Sequence, residues 1–130
     1  MFHTFKNRED RRAFGGSAFI EISYCKLRPN TRIKKIVSIN AIDYWQDDSL
    51  YVYVDDIEEF YSNYKDIFNN GVYNNLKKGE IDMYGINYYS SQQLNEIIDK
   101  IEKQKPLDYS VLLEWLKQGI NYNGFYILGI

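Results

Sequence analysis

The chain has 130 residues, 45% of them apolar and 26% charged, enough to bury one core and too few for a second full domain. Aromatic residues make up 17%, most of them the 13 tyrosines, which excludes a disordered chain without bulky groups to bury. The formal net charge of −2 supports neither a uniformly basic polyanion binder nor an acidic tail, yet it hides an asymmetry: residues 1–35 carry nine Lys or Arg against three acids, and residues 36–130 carry seven against fifteen.

Residues 1–14 read as a short strand or a charged arm, and Gly15-Gly16 marks a break after them. Ala18–Leu27 and Arg32–Ile42 are rich in β-branched and aromatic residues, with turn chemistry in Arg28-Pro29-Asn30-Thr31, so a hairpin is expected. Leu50–Val54 is a third strand, apolar on both faces, followed by Asp55-Asp56 as N-cap carboxylates with Glu58 and Glu59 at capping-box spacing. The helix predicted there places Ile57, Phe60, Tyr61, Tyr64, Ile67 and Phe68 on one face, and Asn69-Asn70-Gly71 ends it.

A fourth strand is expected over Glu80–Asn87. Ser90 then caps a second helix, with Gln93 at the capping-box position and Leu94, Ile97, Ile98 and Ile101 on one stripe. Pro106 ends that segment, and Asp108 caps a third helix whose Val111, Leu112, Trp115 and Leu116 face inward before Gly119 closes it. The last residues, Asn123–Ile130, are apolar on both faces, as in a strand inside a sheet. The predicted fold is α+β: a mixed or mainly antiparallel sheet of about five strands, with about three helices packed on it, in a single domain.

Cys25 is the only cysteine, so no intrachain disulfide and no multi-cysteine metal cage can form. With no signal-peptide-like start and no apolar run of bilayer length, the expected setting is a reducing cytoplasm.

Catalytic constellations are hard to assemble from this chain. His3 is the only histidine and lies at a terminus, and no EF-hand, Walker or dinucleotide motif is present, so no catalytic, metal or cofactor residue is assigned. Cys25 reads as a small buried hydrophobe and Asp55-Asp56 as a helix cap before either reads as chemistry. An enzyme relying on Tyr, Arg and carboxylates is the third reading, in which Arg11, Arg12, Glu21 and Tyr24 could converge in space without a linear motif.

Two binding surfaces compete. Lys26, Arg28, Arg32, Lys34 and Lys35 around the predicted hairpin, with Lys6, Arg8, Arg11 and Arg12 upstream, suit a small nucleic-acid binder, or merely the lysine-guarded edge of a sheet. The more informative stretch is Asp43–Glu59, where seven acids meet no Lys or Arg and aromatics are interleaved. Tyr44 and Trp45 are candidate anchors there, and Asp47, Asp48, Asp55, Asp56, Glu58 and Glu59 are candidates for steering a basic protein partner. The plain alternative is that the aromatics are core and the acids a solvated rim.

The stretch Gly79-Glu80-Ile81-Asp82-Met83-Tyr84-Gly85-Ile86-Asn87-Tyr88-Tyr89, the helix end Leu112-Leu113-Glu114-Trp115-Leu116 and the closing Asn123-Gly124-Phe125-Tyr126-Ile127-Leu128-Gly129-Ile130 resemble the C-terminal half of small bacterial immunity proteins. Such proteins accompany polymorphic toxins, including those of contact-dependent growth inhibition. The resemblance covers about the second half of the chain and is one of pattern, so it carries over no contact residue. It implies a cytoplasmic, non-enzymatic protein that neutralises one cognate toxin domain, often a nuclease, by stoichiometric binding. Gly85 and Gly129 within it read as backbone necessities.

Overall fold

Apolar and polar residues do not alternate simply along the strand Phe19–Tyr24: all but the last are buried, which demands cover on both faces of the sheet. The computed structural model describes residues 1–130 and supplies that cover in two different ways. Seven strands form one sheet: β1 (Phe2–His3), β2 (Phe19–Tyr24), β3 (Leu50–Tyr53), β4 (Gly71–Val72), β5 (Lys78–Gly79), β6 (Ile86–Tyr89) and β7 (Phe125–Leu128). Their spatial order is β1-β3-β2-β7-β6-β4-β5, and every pairing is antiparallel. Five helices accompany them: α1 (Arg8–Gly15), α2 (Ile33–Ile36), α3 (Ile57–Tyr64), α4 (Ser91–Gln104) and α5 (Tyr109–Gln118). The fold is therefore α+β, with two more strands and two more helices than the sequence suggested. No helix is long and apolar enough to cross a membrane.

One face of the sheet presents Ile20, Ile22, Leu50, Val52, Phe125 and Ile127 to α3, α4 and α5. Phe60 and Tyr64 from α3, Leu94, Ile97, Ile98 and Ile101 from α4, and Leu112, Trp115 and Leu116 from α5 complete this core. The three predicted helical stripes thus meet on one side of the sheet. Ser90 caps α4 as expected: its side chain accepts from the Gln93 N–H at 3.3 Å, and the Gln93 side chain accepts from the Ser90 N–H at 2.8 Å.

The opposite face has no long helix. A second apolar cluster joins Cys25, Ile36, Val37, Ile42, Val72, Ile86, Tyr88, Tyr126 and Leu128 beneath α2 and the 3-10 turn Ile39–Ala41. The predicted hairpin strand Arg32–Ile42 is therefore corrected to a helical turn followed by irregular chain. Its Ile33, Ile36 and Val37 suit helical spacing, and β2 has no free side to receive it, since β3 occupies one and β7 the other.

Smaller corrections concern one strand and two helix starts. The predicted strand Glu80–Asn87 joins the β6–β7 ladder only from Ile86. The preceding turn is held by Asn87, which accepts from the Asp82 N–H at 2.8 Å and donates to the carbonyls of Asp82 and Ile127, each at 2.9 Å. Asp56 makes no cap bond to α3, because a 3-10 turn over Val54–Asp56 precedes the helix. Asp108 does not cap α5 either; it adopts φ 57° and accepts from the Met1 ammonium at 3.1 Å. Val111 is 44% exposed instead of facing inward. At Gly129 the expectation of a backbone requirement holds, since a Cβ there would lie 2.4 Å from the Met83 carbonyl oxygen.

Candidate functional site

A glutamate between two isoleucines in a central strand must either be neutralised or be given donors. Glu21 of β2 is 1% exposed and lies directly across from Tyr51. Its carboxylate accepts from the backbone N–H of Trp45 at 2.7 Å and of Gln46 at 2.8 Å, from the Ser49 hydroxyl at 2.7 Å, and from the Tyr51 hydroxyl at 3.4 Å. Tyr51 donates also to the Gln46 carbonyl at 2.6 Å. Desolvation raises the pKa of Glu21 above the ordinary carboxyl value, partly offset by the donors from Trp45, Ser49, Gln46 and Tyr51. The chain between Asp43 and Ser49, which has no regular structure, is thereby pinned from beneath by one buried acid.

Two more contacts fix this loop from its sides. The Trp115 indole of α5 donates to the Asp48 carbonyl at 2.8 Å, and the Lys26 ammonium pairs with the Asp48 carboxylate at 2.8 Å. Trp45, held at φ 64°, is half-buried, with the Arg11 guanidinium 4.0 Å from its ring centroid and the Tyr51 ring at 6.2 Å. Tyr44 is 38% exposed and available, as are the carboxylates of Asp43 and Asp47.

The acidic stretch that is continuous in sequence is divided in space. Asp47 and Asp48 precede β3 and Asp55, Asp56, Glu58 and Glu59 follow it, so four residues of extended chain, about 13 Å, stand between the two groups. Asp55, Glu58 and Glu59 are exposed and Asp56 half-buried, around the 3-10 turn and the first turn of α3. There they complement the amide dipoles of the helix start. Two acidic surfaces thus flank β3 where the sequence suggested one.

No known family model matches the chain. Comparison with curated proteins and with solved structures likewise finds no match.

Residues weighed for catalysis do not form a site together. Arg11 and Glu21 both reach Trp45, one at its ring and one at its backbone, but Tyr24 lies on the helix-covered face, donating to the Trp115 carbonyl at 2.7 Å. His3 belongs to β1, opposite Tyr51, with its ring 4.7 Å from that of Phe14. Burial and the neighbouring N-terminal ammonium push its pKa down. Cys25 is fully buried as expected, its sulfur 3.5 Å from the Tyr126 hydroxyl. Arg28, Arg32, Lys34 and Lys35 are exposed on the turn and on α2, without the hairpin expected to carry them.

Sequence reading missed Glu21 as the anchor of the loop. The available signal was an acid within the apolar run Phe19–Ile22, a position that burial makes expensive unless several donors converge.

Proposed function

We propose that this protein is an immunity-type inhibitor that captures one basic toxin domain, in the manner of the small bacterial immunity proteins its second half resembles. The observation that supports this reading is the pinned loop Asp43–Asp48, which holds exposed carboxylates and the Tyr44 ring on a backbone fixed by Glu21. A loop ordered before contact loses little conformational entropy on binding, and its carboxylates speed the approach of a basic partner. Asp55, Glu58 and Glu59, at the other end of β3, extend the negative field without sharing the same contact patch. Inhibition follows from covering the toxin's active site or its substrate path, and the protein itself performs no chemistry.

The test is affinity purification from nuclease-treated lysate of cells co-expressing the adjacent open reading frame, followed by binding kinetics on the recovered pair. The expected result is one stoichiometric protein partner. Asp43→Lys with Asp47→Lys should slow association about tenfold and flatten its salt dependence, while Asp55→Lys with Glu58→Lys has a smaller effect. Unchanged association in the first variant would move the interface off this loop. Recovery of nucleic acid alone from untreated lysate would replace this reading with the exposed basic set Arg28, Arg32, Lys34 and Lys35.

A further inference from the structure

We propose that the notch between α1 and the Trp45 loop binds the phosphate group of a small phosphorylated molecule. The helix places Arg8, Arg11 and Arg12 at spacings of three and four residues, hence on one side of α1, and all three line a concavity of about 440 Å³ together with Gly16, Ser17 and Trp45. No carboxylate lines it. Glu9 and Asp10, the acids of the same helix, lie exposed outside the notch, and none of the three arginines forms an ion pair.

Arg11 makes this a formed site rather than a patch of surface charge. The residue is only 5% exposed, its guanidinium carbon lies 4.0 Å from the Trp45 ring centroid, and one nitrogen donates to the Gly16 carbonyl. No fully buried side-chain nitrogen in the protein lacks a partner, so the Arg11 nitrogens not bonded to Gly16 keep contact with solvent in a residue that lines the notch. A cation withdrawn from water, oriented by an aromatic face and a carbonyl yet without an anion, has unused donors in a fixed direction. Gly16, at φ 66°, forms part of the wall.

The ligand class follows from charge and shape. Three guanidinium groups match the several oxygens and double charge of a phosphate better than a single carboxylate, which would leave most of the positive charge unanswered. The Ser17 hydroxyl, which has no hydrogen-bond partner within the chain, adds a neutral donor at the rim. The Arg11 guanidinium already occupies the Trp45 ring, 4.0 Å from its centroid, so recognition falls on the phosphate. The volume suits a nucleotide-sized molecule. This site does not depend on the toxin-binding reading, whose loop presents the opposite charge.

The experiment is an NMR titration of the whole protein with sodium pyrophosphate, and in parallel with a nucleoside diphosphate, at constant ionic strength set by chloride. The Trp45 indole and Arg11 Nε–H signals are followed. Saturable shifts confined to α1, residues 16–17 and Trp45 are expected. Arg8→Ala with Arg12→Ala, two exposed positions, should weaken binding at least about tenfold with an unchanged melting temperature. Arg11→Lys, which keeps the charge and loses the flat fork, should weaken it as well. Equal affinity for both small anions identifies the phosphate as the recognised group, and tighter binding of the nucleoside diphosphate places the rest of the nucleotide in the notch. The proposal is overturned by shifts that grow linearly without saturating, by a double variant that binds like the wild type, or by stronger saturable binding of an unphosphorylated oligonucleotide than of either small anion.

Discussion

The two faces of the sheet are covered by different physics. On the helix side, apolar stripes from α3, α4 and α5 meet Ile20, Ile22, Val52, Phe125 and Ile127, and cohesion is spread over many side chains. On the other side much of the cover is loop, and its position rests on a few side chains that bond to backbone: Glu21 to Trp45 and Gln46, and Tyr126 to the Ile36 carbonyl at 2.6 Å. The lesson is one of partition. The helical layer supplies stability that no single bond controls, which frees the opposite layer to hold exposed acids, aromatics and arginines in fixed positions by a small number of hydrogen bonds.

The sharpest way to break this contrast is Phe125→Ala. Phe125 is buried on the helix side, with its ring 5.0 Å from Tyr89 and in edge contact with Phe68 and Trp115. Its truncation should cost about 3–5 kcal/mol in chemical denaturation, and the loss should be global rather than local. Next in size is Glu21→Ala, which strands two backbone N–H groups and the Ser49 hydroxyl, at about 2–3 kcal/mol. Here hydrogen exchange at the Trp45 and Gln46 amides should accelerate far more than exchange in α4. Uniform acceleration across both layers would refute the partition.

The same residue predicts a pH trend. Because its folded-state pKa lies above the ordinary 4.5, Glu21 holds its proton more tightly when folded. The stability it contributes is fully present below the unfolded value and is lost as pH rises through the folded one. Lowering the pH through the folded-state value should therefore strengthen this site's contribution, and Glu21→Gln should remove that part of the slope in denaturation curves. The smallest effect belongs to Ser90→Ala, which removes a capping box from α4 and should cost about 1 kcal/mol without changing exchange at the Trp45 loop.

Legibility in the sequence follows the same division. Periodic patterns revealed the elements that pack by area: β2, β3 and β7, the stripe of α4 with its Ser90 cap, and the inward Leu112, Trp115 and Leu116 of α5. Elements held by specific long-range bonds were not placed by such patterns. Arg32–Ile42 has β-like composition, but the chain end, 90 residues later, takes the neighbouring place beside β2. The candidate site was half legible. The exposed acids and Tyr44 could be named from composition, whereas the contacts that position Trp45 come from Arg11 and Glu21, 34 and 24 residues away. The division of the acids by β3 was readable, since a strand was predicted between them, yet linear density suggested one patch.

The sheet ends on both sides in strands of two residues, Phe2–His3 and Lys78–Gly79. Strand addition, in which a visiting peptide extends a sheet through a row of free backbone groups, needs a longer and flatter margin than either provides. The toxin domain proposed above would therefore meet side chains on loops and faces, with specificity set by charge and shape at those positions.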